Sequence, residues 1–254
     1  MKKFLLTHGD AKYWPLLDLQ HHWDVGYCDL HDYVFIEDRQ STPGLPDFYW
    51  EKMRVIYRCL MNDAHDGDFL AFKDADALIA DRPVDLYIQL CTEGFLNYDV
   101  ACAKYPENNG KSGWNTGTLF VNANDKTRKL FRRLLDGGPI DPKDWGAGHN
   151  QTLGWEERAF AKQFEDSAEG VNILSLDSRW NYGNAIRPLG RKACKNAIIL
   201  HPAEKPVAYK LDCIRRSMDL INAGAGPIDP LADWDGKGEL PVYPPMNHDA
   251  PGCC

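Results

Sequence analysis

Short apolar runs alternate with longer amphipathic stretches along most of the chain. Residues 3–7 are a compact apolar run that ends in the polar group Thr7-His8-Gly9-Asp10, which predicts a buried strand opening into a loop. Residues 11–23, with Trp14, Leu17 and Leu19, predict a helix, and Tyr33-Val34-Phe35-Ile36 predicts a second strand. The segment 40–47 holds two prolines and a glycine and reads as loop. From Trp50 the apolar residues fall at 50, 53, 57, 60 and 61, a helical stripe with Glu51, Lys52, Arg54 and Arg58 mostly on other faces. Phe69-Leu70-Ala71-Phe72, entered through Asp66-Gly67, predicts a central strand. Further strands are predicted at 100–103, 118–122, 172–176 and 198–200, and helices at 125–136, 155–165 and 207–222. Strands alternating with helices predict an α/β fold with a mostly parallel central sheet flanked by helices. Residues 224–254 hold six prolines and five glycines with little periodicity, so the reading is a domain over 1–223 and an irregular tail over 224–254.

Composition narrows the function classes. A chain of 254 residues with 44% hydrophobic and 26% charged residues can fold around its own core, without needing a disulfide or structural metal for stability. The formal net charge of −8 argues against broad binding to a nucleic acid backbone. No apolar run is long enough to span a bilayer, and Phe4-Leu5-Leu6 is too short for the core of a secretory signal, so a cytoplasmic location is expected. The eight cysteines include no CxxC pair and are expected to be reduced thiols, with Cys28, Cys59, Cys102 and Cys213 as small core residues. The terminal pair Cys253-Cys254 carries no polybasic context that would mark a lipid anchor.

The strongest chemical signal follows the predicted central strand: Lys73-Asp74-Ala75-Asp76. Ligands of open α/β sheets bind beyond the carboxyl ends of the strands. Two carboxylates placed there repel one another unless a cation joins them, and a hard divalent ion bridging to phosphate oxygens does so. A solvated acidic turn is the competing reading. Two further segments bear on the choice. Asn115-Thr116-Gly117 places a polar turn just before the strand at 118–122, and His201-Pro202-Ala203-Glu204-Lys205-Pro206 follows the apolar run Ile198-Ile199-Leu200. Neutral histidine is a metal ligand and lysine a point charge suited to phosphate.

An apolar strand ending in Asp-Ala-Asp, then Asn-Thr-Gly entering a strand, then His-x-x-x-Lys-Pro, resembles the GT-A-fold glycosyltransferases. The likeness is to the metal-dependent retaining families of the glycogenin, lipopolysaccharide galactosyltransferase and galactosyl/xylosyltransferase type, over about residues 2–215. The Trp50-Glu51-Lys52-Met53 segment resembles the Trp-x-Lys of those families. The resemblance implies a GT-A-like (Rossmann-like) fold and a bound Mn²⁺ or Mg²⁺. It makes Asp74, Asp76 and His201 the metal ligands, with Lys205 on the diphosphate. It implies a nucleotide-sugar donor, with UDP as its nucleotide, and a glycan, lipid-linked or protein acceptor. Base and ribose would lie over Thr7, His8 and Gly9, with Lys52 and Ala75 close to the donor. Asn115 and Gly117 would line the sugar pocket. Glu157, with Glu156, would hold the donor hydroxyls or the acceptor, and Asn181 would stand beside the active site next to Trp180. The chain departs from the pattern in lacking a glycine between His201 and Lys205 and a tryptophan after Pro206.

For Glu156 and Glu157 the competing reading is an exposed helix start, where acids are favoured by the helix dipole. Trp180 reads equally as a core residue. Two rival functions remain. A sugar nucleotidyltransferase would carry a glycine-rich basic loop after its first strand, whereas Thr7-His8-Gly9-Asp10-Ala11-Lys12 has one glycine and one lysine. A non-catalytic nucleotide-sugar or carbohydrate-binding module on the same fold is separated only by activity.

Overall fold

A computed structural model describes residues 1–41, 49–104, 114–137, 160, 170–182, 197–203 and 206–224. Six strands form the central sheet: β1 (Lys3–His8), β2 (Tyr33–Asp38), β3 (Phe69–Asp74), β5 (Val100–Lys104), β6 (Trp114–Asn122) and β7 (Ile173–Leu176). Their order is β2-β1-β3-β6-β5-β7. The β1 strand is parallel to β2 and β3, and β5 is parallel to β7, while β6 is antiparallel to both its neighbours. Thus β6 alone runs against the other five, and the sheet is mostly parallel, as the alternating pattern predicts. Two short strands, β4 (Leu78–Ile79) and β8 (Ile199–Leu200), pair separately as an antiparallel ribbon.

The described helices are α1 (Trp14–His31), α2 (Tyr49–Asn62), α3 (Leu86–Thr92), α4 (Asp125–Gly137) and α5 (Val207–Asn222). Strand alternation sorts the core into two layers. Phe4, Leu6, Leu70, Phe72 and Val121 face Trp50, Met53, Ile56 and Leu60 of α2 and Leu130, Phe131 and Leu134 of α4. Leu5, Phe69, Ala71 and Phe120 face the opposite way, with Tyr27 of α1, Leu86 and Leu90 of α3, and Trp180. A third cluster joins Leu16 and Trp23 of α1 to the ribbon at Leu78 and Leu200 and to Tyr209 and Ile214 of α5.

The structure corrects the sequence reading at three places. Helix α1 continues past residue 23 to His31, where Asp32 enters the left-handed region at φ 57° and its backbone N–H closes on the Cys28 carbonyl. Asn115-Thr116-Gly117 is not a turn before a strand but part of β6, which starts at Trp114. The β5–β6 register jumps there, with Cys102 opposite Leu119 and Ala103 opposite Asn115, so that three residues bulge from the ladder. The sequence reading also passed over β4, α3 and the 3-10 turns Phe95–Asn97 and Ser178–Asn181. Nearly all of the predicted tail, of the predicted loop at 40–47 and of the predicted helix at 155–165 lies outside the described residues.

Candidate metal centre

Three pieces of backbone converge at the carboxyl edge of the sheet. Strand β3 ends at Asp74 and turns at once, the Ala77 N–H donating to the Asp74 carbonyl at 2.9 Å. The reversed strand β6 begins where β3 ends, Lys73 lying opposite Thr118, so its bulged start arrives beside the turn. The ribbon pairs Leu78 with Leu200 and thereby brings His201, one residue on, next to Asp76. Asp74, Asp76 and His201 each offer a ligand atom, all within 4.8 Å of one another. His201 Nε2 lies 3.0 Å from Asp76 Oδ1 and 3.9 Å from Asp74 Oδ2.

The hydrogen bonds fix the histidine tautomer. The Gly117 N–H donates to Asn115 Oδ1 at 2.9 Å, and Asn181 Nδ2 donates to the same oxygen at 2.6 Å. Asn181 therefore turns its Oδ1 to His201 Nδ1, 2.7 Å away, and that nitrogen must carry a hydrogen. His201 Nε2 then faces a carboxylate oxygen, an arrangement that requires a proton or a metal ion between them. An imidazole fixed through its far nitrogen, with its near nitrogen toward two carboxylates, is a donor set suited to a divalent cation. The residues present fit the ion.

Gly117 makes this geometry possible. A Cβ there would lie 2.3 Å from His201 Cε1 and 2.6 Å from Nδ1, against ring atoms that Asn181 and Asp76 hold in place. Two lysines neutralise the carboxylates. Lys52 Nζ lies 2.9 Å from Asp74 Oδ1, and Lys210 Nζ donates to Asp76 Oδ2. Burial works against a charged Asp76, but His201 and Lys210 outweigh it and hold its pKa well below the usual carboxylate range. Tyr13 packs at the same place, its ring 5.4 Å from Lys210 Nζ. Burial, followed by the charges of Asp76 and Asp74, pushes its phenol up to about 12.

The end of β1 lies beside this centre, His8 standing opposite both Asp38 and Asp74 in the sheet. His8 Nδ1 is 2.9 Å from Asp38 Oδ2, and Asp38 also accepts from Arg54 and Arg58. Thr7 Oγ1 and His8 Nε2 are buried without a hydrogen-bond partner. Gly9 is closely packed, since a Cβ would lie 3.1 Å from Leu17 and Tyr13 and 3.3 Å from Ala75. Ala75 is itself buried there. Trp180 is a core residue, its indole N–H held by Glu93, and the neighbouring Asn181 is the one that reaches His201. Of the residues singled out in the sequence, the structure gathers Asp74, Asp76, His201, Lys52, Asn115, Gly117 and Asn181. Glu156, Glu157 and Lys205 lie outside the described residues.

Sequence reasoning missed Lys210 and the trio Gln20, Asp24 and Lys73. Lys210 and Lys73 carried a signal. Lys210 shares the α5 stripe of Cys213, Ile214 and Ser217, all buried. Lys73 follows Phe69 and Ala71 at the period of two that faces a strand inward.

No family model matches the chain, and no match was found among curated proteins. Among solved structures, a glycosyltransferase involved in the glycosylation of the major capsid of PBCV-1 superimposes with a TM-score of 0.59. The alignment covers 84% of this chain and 98% of that one, at 14% identity. The Streptococcus pneumoniae glycosyltransferase GlyE aligns over 81% of this chain and 55% of its own, at 12% identity and a TM-score of 0.45. Mouse xyloside xylosyltransferase 1 aligns over 81% of this chain and 99% of its own, at 12% identity and a TM-score of 0.40. The fold is that of the GT-A glycosyltransferases, as the sequence motifs imply. No helix among the described residues is long and apolar enough to cross a membrane.

Proposed function

We propose that the chain is a metal-dependent glycosyltransferase. It moves a sugar from a nucleoside-diphosphate donor, a UDP-sugar, to an acceptor hydroxyl with retention of configuration. The observation that carries the reading is the His201 ring, fixed by Asn181 and Asn115 with Nε2 turned toward Asp76 and Asp74 at the carboxyl edge of the sheet. Asp74, Asp76 and His201 would hold Mn²⁺ or Mg²⁺, which supplies Lewis-acid stabilisation of the diphosphate as it leaves.

The chain's own groups prepare that step. Lys52 and Lys210 hold the two carboxylates in place and keep the centre electrically balanced. Asn115 and Asn181 keep the imidazole from rotating. Lys205 is assigned to the diphosphate, where a fixed positive charge stabilises the developing negative one. Glu157 and Glu156 are assigned to the donor hydroxyls or the acceptor. With retention, the departing phosphate takes the acceptor proton, so no side chain is assigned as general base. The acceptor class is a glycan, lipid-linked or protein hydroxyl, and the setting cytoplasmic.

The test is thermal melting with UDP, GDP, CDP and ADP, each with and without Mn²⁺. Binding to the native state alone raises the melting temperature with ligand concentration over Kd. A rise with UDP that needs Mn²⁺, and that is lost in Asp76→Ala while the fold persists, is the expected outcome. No rise with any nucleotide overturns the donor site. A metal-dependent rise without donor hydrolysis or transfer over a panel of UDP-sugars would move the reading to a non-catalytic binding module.

A further inference from the structure

Behind the metal centre lies a buried polar group that none of the steps above uses. Lys73 is 1% exposed and sits on the last turn-ward position of β3 before Asp74. Its Nζ is 2.8 Å from Asp24 Oδ2, 3.2 Å from Gln20 Oε1 and 2.9 Å from the Ala77 carbonyl. Gln20 Nε2 donates to the Ala75 carbonyl at 2.6 Å. Asp24 and Gln20 are both 1% exposed and lie one turn apart on α1.

Stability does not account for this arrangement. A buried ion pair recovers its desolvation cost only when the remaining polar atoms are satisfied, and apolar residues of the same volume often do as well or better. Here Asp24 Oδ1 has no partner. What the group does accomplish is local. Lys73 and Gln20 grip the carbonyls of Ala75 and Ala77, the residues on either side of Asp76. Together with the Ala77 to Asp74 backbone bond, they leave the turn that carries both carboxylates little freedom.

We propose that Lys73, Asp24 and Gln20 are positioning residues for the metal centre. They anchor the Asp74–Ala77 turn to α1 so that the two carboxylates meet His201 at ligand spacing. The inference rests on the metal reading of Asp74, Asp76 and His201. Outer groups that orient metal ligands commonly change affinity 10- to 100-fold when removed.

The experiment measures Mn²⁺ affinity by electron paramagnetic resonance of the free ion, alongside the melting temperature of the metal-free protein. The double variant Lys73→Met with Asp24→Leu removes both charges together. It is expected to melt at or above the wild-type temperature and to bind Mn²⁺ about tenfold more weakly. Gln20→Leu, which removes the bond to Ala75 while keeping the ion pair, is expected to weaken Mn²⁺ several-fold and serves if the double variant does not fold. Leu130→Ala, in the core layer of α2 and α4, should lower the melting temperature and leave Mn²⁺ affinity unchanged. Mn²⁺ affinity within twofold of wild type in both turn variants overturns the positioning role alone. Failure of the wild type to bind Mn²⁺ overturns the metal centre and the inference with it.

Discussion

Two residues show how much one position can decide. At Gly117 the missing side chain is the space in which the His201 ring sits. Gly117→Ala is expected to displace the imidazole, weaken Mn²⁺ binding at least tenfold and destabilise the fold by about 1–3 kcal/mol, a typical overpacking cost. Titration calorimetry with Mn²⁺ and urea unfolding separate the two effects. At Asp38, burial raises the carboxyl pKa, but the bond with His8, the charge of Arg54 and the bonds from Arg58 and Arg54 win and lower it to about 2. A depressed folded pKa contributes stability above the unfolded value of 3.8, lost as pH falls through about 2. Unfolding free energy should therefore drop between about pH 4 and pH 2. Asp38→Asn should flatten that part of the profile by about 2 kcal/mol, measured by urea unfolding across the range.

At the scale of elements, legibility followed the length and regularity of each segment. The apolar runs of β1, β2, β3 and β5 are uninterrupted, and the stripes of α2, α4 and α5 keep one period, so each could be read directly. Strand β4 has two residues and α3 seven, too short to display a period. The start of α3 still had a local mark. Asp85 caps the N–H groups of Tyr87 and Ile88 and also binds Lys3 and Tyr33. Asp85→Ala should cost about 2 kcal/mol, the upper end for a lost cap, in urea unfolding, with Mn²⁺ affinity unchanged. In the site, these motif residues were legible because they are sequence-local: Asp74 and Asp76 at one turn, Asn115 at the edge of the bulge that holds Gly117. Lys210 was not, because only the packing of α5 on α1 and the ribbon brings it to Asp76. Lys210→Met should lower the metal-free melting temperature, since it strips a buried carboxylate of a partner. Mn²⁺ should then raise the melting temperature by more in the variant than in the wild type.

At the scale of the molecule, the sheet is filled from both faces and its thiols report on that packing. Cys28 and Cys59 are buried on opposite faces, and burial pushes each thiol up to about 12. Neither should react with a thiol reagent in the folded protein at neutral pH, and both should label together when urea unfolds the chain, with peptide mapping to identify them. Labelling of one before the other would show that the two layers open separately.

The β4–β8 ribbon also sets an order of events during synthesis. The β1, β2 and β3 strands with α1 and α2 are contributed by roughly the first third of the chain, and their parallel pairing can begin early. Asp74 and Asp76 leave the ribosome with them. The histidine that joins them, His201, comes just after β8, and the lysine on Asp76 follows on α5. A nascent chain stopped before residue 201 carries the two carboxylates without the histidine that stands beside them in the fold. On the metal reading proposed above, capture of an ion would be deferred until nearly the whole described domain has been made, and metal uptake would mark a finished fold.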